Sequence, residues 1–531
     1  MSITHIPYKN TGYFSSLMVD YIAEKEALAP FYHRFPMINN FKAQLLEKSR
    51  SFKKENRKVL VASLNKQYQD FDISEATKSN INSLLSKHTY TITTGHQLNL
   101  FTGPLYFLYK IVSVINLSEQ LNKKYSNHHF VPVYWMATED HDFEEINYFN
   151  LYGKKVAWDH ESGGAVGALK TDGLEQLLVN LKTKIGTSEN AKKLIDLFYK
   201  AYLQHKNLSD ATRYLSNQLF AEYGLVIVDG NHTELKKEFT PFAKKELLDK
   251  ASFSIINKTT EQLEVIGYNK QVQPREINLF YIIKGIRERI IEEEGSFKIN
   301  NTDIFFNKKE LLNELEEFPE RFSPNALLRP LFQEVVLPNL CYVGGGGELA
   351  YWFQLKDYFK SVAVTFPILL LRNSVLLVPK KLTKKLEKLN ETIEALFLNT
   401  DDLEKKHTQQ LSTLKINFTP QREHLKKQFI DLYALAKQTD ASFLGAVSAQ
   451  EKKQLNGLNH LEKRLLKAEK RKLKDQIQRL TSIQKQLFPK KSLQERLVNF
   501  SEFYLEHGDQ LIPELKKQLD PLCHQFTVLD L

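Results

Sequence analysis

Residues 90–121 read YTITTGHQLNLFTGPLYFLYKIVSVINLSEQL, and after a polar spacer residues 131–147 read VPVYWMATEDHDFEEIN. Two short runs rich in β-branched and aromatic residues, 90–93 and 131–136, are each followed at once by polar, chemically capable side chains. That composition predicts strands, and the continuous apolar run of the second predicts one buried on both faces. Between them Leu105, Leu108, Ile111, Val112, Ile115 and Leu121 form the stripe of a core-facing helix. Pro104 fits its first position, where a missing N–H costs nothing. Strand, helix and strand imply a parallel βαβ crossover. In open parallel sheets ligands bind just past the carboxyl ends of the strands. The reactive groups of this segment stand at those ends.

The same grammar recurs downstream. Residues 225–228 form an apolar run ending in Asp229, Gly230 and Asn231, with a helix from about 233. Residues 340–343 form another, followed by Gly344, Gly345, Gly346, Gly347 and a helix opening at Glu348. The fold class is therefore α/β. The core is expected over 1–379, with insertions at about 148–207 and 250–320, the second carrying short β-like runs (INLFYII, RERIIEE, SFKI). From 380 to 490 the pattern changes. Leu382, Leu386, Leu389, Ile393, Leu396 and Leu403 make one heptad seam, and Leu466, Leu473, Ile477, Leu480 and Leu487 a second. Two long helices of similar length, joined by a short helical tip, are expected to form an antiparallel coiled-coil hairpin, with Pro420, Gly445 and Gly457 interrupting the part between the seams. Residues 491–531 should pack back on the core as a helix and a strand-like tail.

A chain of 531 residues needs more than one core. Apolar runs of about 18 or more residues, which a membrane span requires, do not occur. The first residues, MSITHIPYKNTGYF, show no secretory signal pattern. Cys341 and Cys523 make no disulfide framework, so a reducing cytoplasm is expected. The net charge of +10 is local: 25 Lys/Arg against 13 Asp/Glu between Lys380 and Lys491 leave +12 there and −2 elsewhere. A basic helical arm can hold nucleic acid. A solvated lysine face explains it as well, and nucleic acid is not the expected partner.

Three constellations carry chemistry. In the first, Thr94 and Gly95 precede His96, whose imidazole can donate to a phosphate or carboxylate. Gly95 allows a tight turn and close backbone approach to a ligand. Gln97, Asn99, Thr102 and Gly103 add neutral donors and backbone; a capping loop would use the same residue types. The second is Glu139, Asp140, His141 and Asp142, which can orient an amine or act as acid and base. Helix-capping carboxylates are the plainer reading, and the spacing is not a metal signature. In the third, the four glycines and Glu348 offer backbone N–H groups to an anion without matching a P-loop or a dinucleotide fingerprint. A turn needing positive φ is the plainer explanation. Arg329 can clamp a carboxylate or phosphate, or form a surface ion pair.

TGHQLNLFTGPLY, VPVYWMATEDHDFEEIN and SPNALLRPLFQEVVLPNLCYVGGGGELAYW, followed by a coiled coil and preceded by PYKNTGYFS, resemble the bacillithiol biosynthesis cysteine-adding enzymes, the BshC family. The resemblance spans essentially the whole chain. His96 stands where the family pattern has glutamine, and Gly346 where it has proline. It implies a Rossmann-like core of the nucleotidylyltransferase and class I aminoacyl-tRNA synthetase type, and an arm that makes a homodimer. The implied reaction joins the cysteine carboxyl to the amine of glucosaminyl malate. On this reading the protein is an ATP-dependent amide ligase using ATP or ADP, with the carboxylate activated as an adenylate. Asp140, His141 and His96 would be catalytic. Thr94, Gly95, Gln97, Asn99, Thr102, Gly103, Asp142, Asp229, Arg329, Gly344, Gly345, Gly346, Gly347 and Glu348 would bind substrate or nucleotide. The rivals are a nucleic-acid-binding protein using the basic arm and a scaffold with an inactive core.

Overall fold

A computed structural model describes residues 2–531. At its centre lies a parallel sheet of β1 (Thr89–His96), β2 (His129–Met136), β3 (Val226–Asp229), β4 (Asn339–Gly344) and β5 (Ile368–Leu371). Their spatial order is β5-β4-β1-β2-β3, every pair parallel. Nearly all their residues are buried, which is why the strands read as unbroken apolar and threonine runs rather than alternating ones. The threonines spend their hydroxyls inside the sheet: Thr93 donates to Asn339 Oδ1 at 2.8 Å and Thr94 to the Val343 carbonyl at 2.7 Å. The order reverses between β1 and β4, and there a crevice must open at the carboxyl ends.

β1 is longer than its composition suggests. It pairs with β2 as far as His96 opposite Met136. Gly95 is thus a strand residue, not a turn, and its φ is not positive. Glycine is needed there for close approach. A Cβ would lie 3.1 Å from Tyr342 Oη and 3.4 Å from Arg329 Nη1. The helix α1 (Tyr106–Lys124) crosses from β1 to β2 and is buried almost all round. The sheet covers one side and the helix Leu511–Gln518 another, where Asn116 Nδ2 donates to the Lys516 carbonyl at 2.8 Å.

Between β2 and β3 the chain makes a hairpin (Tyr148–Leu151, Lys154–Ala157) and the helices Leu174–Ile185 and Glu189–Leu203. Between β3 and β4 it builds an antiparallel sheet containing Leu279–Ile283 and Ile286–Glu293. The tail strand Phe526–Asp530 lies between Ile3–Ile6 and Val375–Val378.

The arm is an antiparallel helical hairpin with unequal limbs. The rising limb is broken into Lys380–Lys388, Thr400–Leu411 and Thr419–Ala436, whereas the returning limb is Ala441–Lys472 followed by Lys474–Leu487. The reversal falls at 437–440, where Asp440 caps the returning helix through the Ser442 and Phe443 N–H groups. Gly445 and Gly457 therefore sit inside a helix, against expectation. Each costs about 1 kcal/mol relative to alanine, too little to break so long a helix. Pro420 occupies the first turn of its helix, where proline is tolerated. Near the core the seam is closed, with Leu403, Leu480 and Leu487 fully buried. Along the outer part of the arm Ile430, Leu435, Phe443 and Leu461 remain exposed.

Candidate active site

A cavity of about 440 Å³ opens at the reversal of strand order. Its wall includes Gly95, His96, Gln97, Asp140, Arg329, Gly345, Gly346, Gly347 and Glu348. Nine of the positions expected from sequence, from three distant stretches, thus meet in one place. Thr94, Asn99, Thr102, Gly103, His141, Asp142, Asp229 and Gly344 do not line it.

His96 is buried, its ring packed against Tyr106 and Phe107. Burial, helped by the nearby Lys110 ammonium, pushes its pKa down to about 3. It is a neutral imidazole with a buried, unpartnered Nε2. It is therefore suited to a hydrogen bond, not to carrying charge or accepting a proton at neutral pH.

Asp140 faces it from the loop after β2. Gln97 Nε2 donates to its Oδ2 at 2.9 Å and the His141 N–H to its Oδ1 at 2.8 Å. Burial alone would raise its pKa. The hydrogen bonds from His141 and Gln97 and the charge of Arg287 outweigh that and hold the carboxyl well below the usual carboxylate range. Asp140 is a fixed anion. Glu139 beside it is paired with the buried Lys236, whose Nζ also donates to the Phe322 carbonyl at 2.7 Å.

His141 points out of the cavity and is exposed. Arg287 Nη1 donates to its Nδ1 at 2.7 Å. The ring proton is therefore on Nε2, which faces Asp142 at 3.9 Å. Asp140, His141 and Asp142 bring ligand-capable atoms within 4.8 Å of one another. The guanidinium against Nδ1 makes that cluster a poor cation site.

The glycine run departs from both sequence readings. None of Gly344, Gly345, Gly346 or Gly347 has a positive φ. The first is required by packing, since a Cβ would sit 2.9 Å from the Tyr342 ring. The helix that follows, Gly346–Trp352, is only seven residues long. The Gly345 N–H, expected to meet an external anion, already donates to Glu348 at 2.8 Å. Glu348 also accepts from Tyr342 Oη at 2.8 Å and pairs with Lys110 at 2.5 Å. Burial would raise its pKa, but Lys110 and these donors bring it below its ordinary value. Lys110 Nζ in turn donates to the Gly95 carbonyl at 2.8 Å. One buried ion pair thus ties the end of β1 to the glycine turn.

Asp229, Asn99 and Gly103 make their contacts away from the cavity. Asp229 accepts from Thr138 Oγ1, from Ser209 Oγ at 2.9 Å and from the Asn231 N–H at 2.8 Å, closing the end of β3 away from the cavity. Asn99 donates to the Glu145 carbonyl at 3.1 Å. Gly103, with φ 63°, turns so tightly that a Cβ would lie 2.6 Å from Asn99 Cβ. Asn499 Nδ2, from the tail, donates to the Phe101 and Gly103 carbonyls at 2.8 and 2.6 Å.

Sequence reasoning missed the cations. Lys110, Arg287, Arg372 and Arg496 all line the cavity. Lys110 had a legible signal, a lone lysine on an otherwise apolar helix (LYKIVSV). Arg372 follows a strand directly, as reactive groups do elsewhere in this sheet. Arg287 and Arg496 come from an insertion and from the tail and carry no local signal.

A parallel sheet of this order, with a charged cavity at the reversal and a helical arm, defines a Rossmann-like α/β enzyme with a coiled-coil appendage. Family models described as the N-terminal Rossmann-like domain and the C-terminal coiled-coil domain of bacillithiol biosynthesis BshC match residues 1–373 and 375–531. A Flavobacterium johnsoniae protein is 55% identical over 99% of this chain and 99% of its own length. One from Christiangramia forsetii is 53% identical over 99% and 98%, and one from Cytophaga hutchinsonii 39% over 98% and 97%. All three carry the name "Putative cysteine ligase BshC". The chain belongs to the BshC family of bacillithiol biosynthesis and, with these relatives, is a ligase. Among the described residues no helix is long and apolar enough to cross a membrane.

Proposed function

We propose that the protein adds cysteine to the amine of glucosaminyl malate, forming an amide, with the cysteine carboxylate activated by ATP or ADP. The observation that supports this most is the polarity of the cavity: a fixed carboxylate, Asp140, on one wall and guanidinium and ammonium groups on the other. Both substrates carry an amine and a carboxylate, and such a wall pair orients them. Asp140 holds an ammonium or amine. His96 presents its unpartnered Nε2 to the bound ligand, while both N–H groups of Gln97 are held by Asp140 and Glu145. The Gly345, Gly346 and Gly347 backbone, held by Glu348, forms the floor. The nucleotide supplies the leaving group; cleaving it balances formation of the amide bond. No cavity group is poised to take the amine's proton at neutral pH, so the amine reacts as the free base and its proton leaves to water.

The arm is proposed to join two copies. Ile430, Leu435, Phe443 and Leu461, exposed along its outer part, are what a homodimer would cover. Cys341 and Cys523 are free, which fits a cytoplasmic enzyme.

The test incubates pure protein with glucosaminyl malate and cysteine, with ATP, with ADP and with neither, and follows the thiol product by mass spectrometry. Product under one nucleotide identifies the activator. No product under any condition refutes the ligase chemistry proposed for this site.

A further inference from the structure

The cavity cations differ in one respect. Lys110 is paired with Glu348 and Arg372 with Glu495, while Arg496 is exposed to solvent. Arg287 faces Glu139, Asp140 and Asp142. Arg329 lies close enough to Glu348 to feel its charge but makes no ion pair with it. Its Nη2 donates to Tyr351 Oη at 2.7 Å, and among the described residues no carboxylate lies within ion-pair distance. Its Nη1 is buried without a partner. Glu348 is already paired with Lys110, so the unpartnered Arg329 Nη1 is left for an anion from outside the chain.

Two further observations point the same way. Arg372 Nε, on the same wall, is also buried and unpartnered, although the other end of that guanidinium is held by Glu495 at 2.8 and 3.1 Å. A glycine borders each orphaned N–H. A Cβ at Gly95 would crowd Arg329 Nη1 at 3.4 Å, and one at Gly345 would stand 3.9 Å from Arg372 Nε. Both donors are thus left open to the cavity, in fixed orientation, with no acceptor from the chain.

We propose that Arg329 is the anion anchor of this cavity: an oxyanion of the bound ligand, carboxylate or phosphate, seats on its Nη1, with Arg372 Nε as a second donor on the same wall. This rests on the cavity being the ligand site, but not on the ligase chemistry. Guanidinium suits either oxyanion, since its planar fork matches both. The two sources are the acceptor's malate carboxylates and the phosphates of a nucleotide.

The experiment is calorimetric titration of the full chain with L-malate and, separately, with pyrophosphate at fixed ionic strength. The wild type is compared with Arg329→Gln and Arg329→Lys, and unliganded melting temperatures are recorded alongside. Arg329→Gln is expected to bind at least tenfold more weakly, with Arg329→Lys between it and the wild type. Its unliganded melting temperature should change little. Loss confined to malate assigns the carboxylate, loss confined to pyrophosphate the phosphate, and loss of both a shared subsite. Wild type that binds neither anion overturns the proposal. So does Arg329→Gln with wild-type affinities, or a drop in its melting temperature accompanied by unchanged affinity in Arg329→Lys. Turnover separates the two readings. Arg329-dependent anion binding in a protein that makes no amide keeps the anchor and loses the ligase; undiminished turnover in Arg329→Gln at unchanged KM does the reverse.

Discussion

Replacing Lys110 with Met tests whether the buried pair beneath the cavity holds the site together. The substitution keeps the helical, unbranched stem and removes only the ammonium. Glu348 would keep its hydrogen bonds from Gly345 and Tyr342, both at 2.8 Å, but lose the cation at 2.5 Å. The Gly95 carbonyl would lose its 2.8 Å donor. Removing one partner of a buried pair costs about 3–5 kcal/mol. The Glu348 side chain is 25% open to the cavity, so water can partly solvate the stranded carboxylate and the lower end, about 3 kcal/mol, is expected. That is a large share of the roughly 5–15 kcal/mol that holds a domain. The loss should also depend on pH. In the native protein the folded pKa of Glu348 lies below its unfolded value, so its contribution is present above about pH 4.5 and fades as pH falls through the folded value. Without Lys110, burial dominates and the folded pKa rises above the unfolded one. Protonation then favours the folded state, so the deficit of the variant shrinks as pH drops from about 7.5 to about 5. Urea unfolding followed by tryptophan fluorescence at both pH values measures this. A deficit below about 1 kcal/mol, or one equal at the two pH values, would refute the reasoning, because a buried carboxylate can only be stranded if Lys110 neutralises it.

Asp140→Asn should reduce turnover by at least about 100-fold and also lower the melting temperature at neutral pH, because a carboxylate with a depressed pKa stabilises the folded state; near-wild-type turnover would take Asp140 out of the site. Because its pKa is depressed, the Asp140 carboxylate stays ionised between pH 5 and 8, so no acid limb of the rate profile in that range should disappear in the variant. His141 points out of the cavity, so His141→Ala should cost far less turnover than Asp140→Asn; an equal loss would return it to the site. Charging the arm with Ile430→Glu and Leu461→Glu should convert a dimer to a monomer in analytical ultracentrifugation, with the core's melting transition unmoved; a wild type already monomeric at micromolar concentration would remove the proposed interface.

What could be read from the residues divides by range. The sheet was legible because strands buried on both faces leave continuous apolar runs, and the reactive ends of β1 and β2 and the glycine turn after β4 could be located without knowing their neighbours. Their roles could not. His96 looks like a donor for charge, yet its value is set by burial and by Lys110, fourteen residues on and one helix away. The glycine turn looks like an empty anion cradle, yet Glu348 fills it from within. Asp229 sits at a strand end like the others, yet Thr138, Ser209 and Asn231 use up its oxygens. For His96 and for most of Asp229's partners the deciding groups come from other elements, whereas Glu348 caps the glycine turn locally from three residues on. The arm failed differently: glycine and proline mark breaks in short helices, but a 32-residue helix absorbs two glycines without bending to them.

The way the cavity charges are compensated explains why the insertion and the tail are needed at all. A Rossmann-like sheet alone would place Asp140, Glu348 and the strand-end cations at the crevice with half their partners missing. Glu495, beside the cavity residue Arg496, comes from the tail and accepts two hydrogen bonds from Arg372. Arg287 comes from the inserted sheet and sets the proton on His141. Asn499 holds the loop behind His96 through two carbonyls. Each part added to the core settles a charge or a backbone group at the reversal of strand order. Preorganised dipoles and charges stabilise developing charge only if they do not have to move when it forms. A site whose ions are already paired from outside the core meets that condition, and Arg329, whose Nη1 is buried without a partner, is where the proposed anion would complete it.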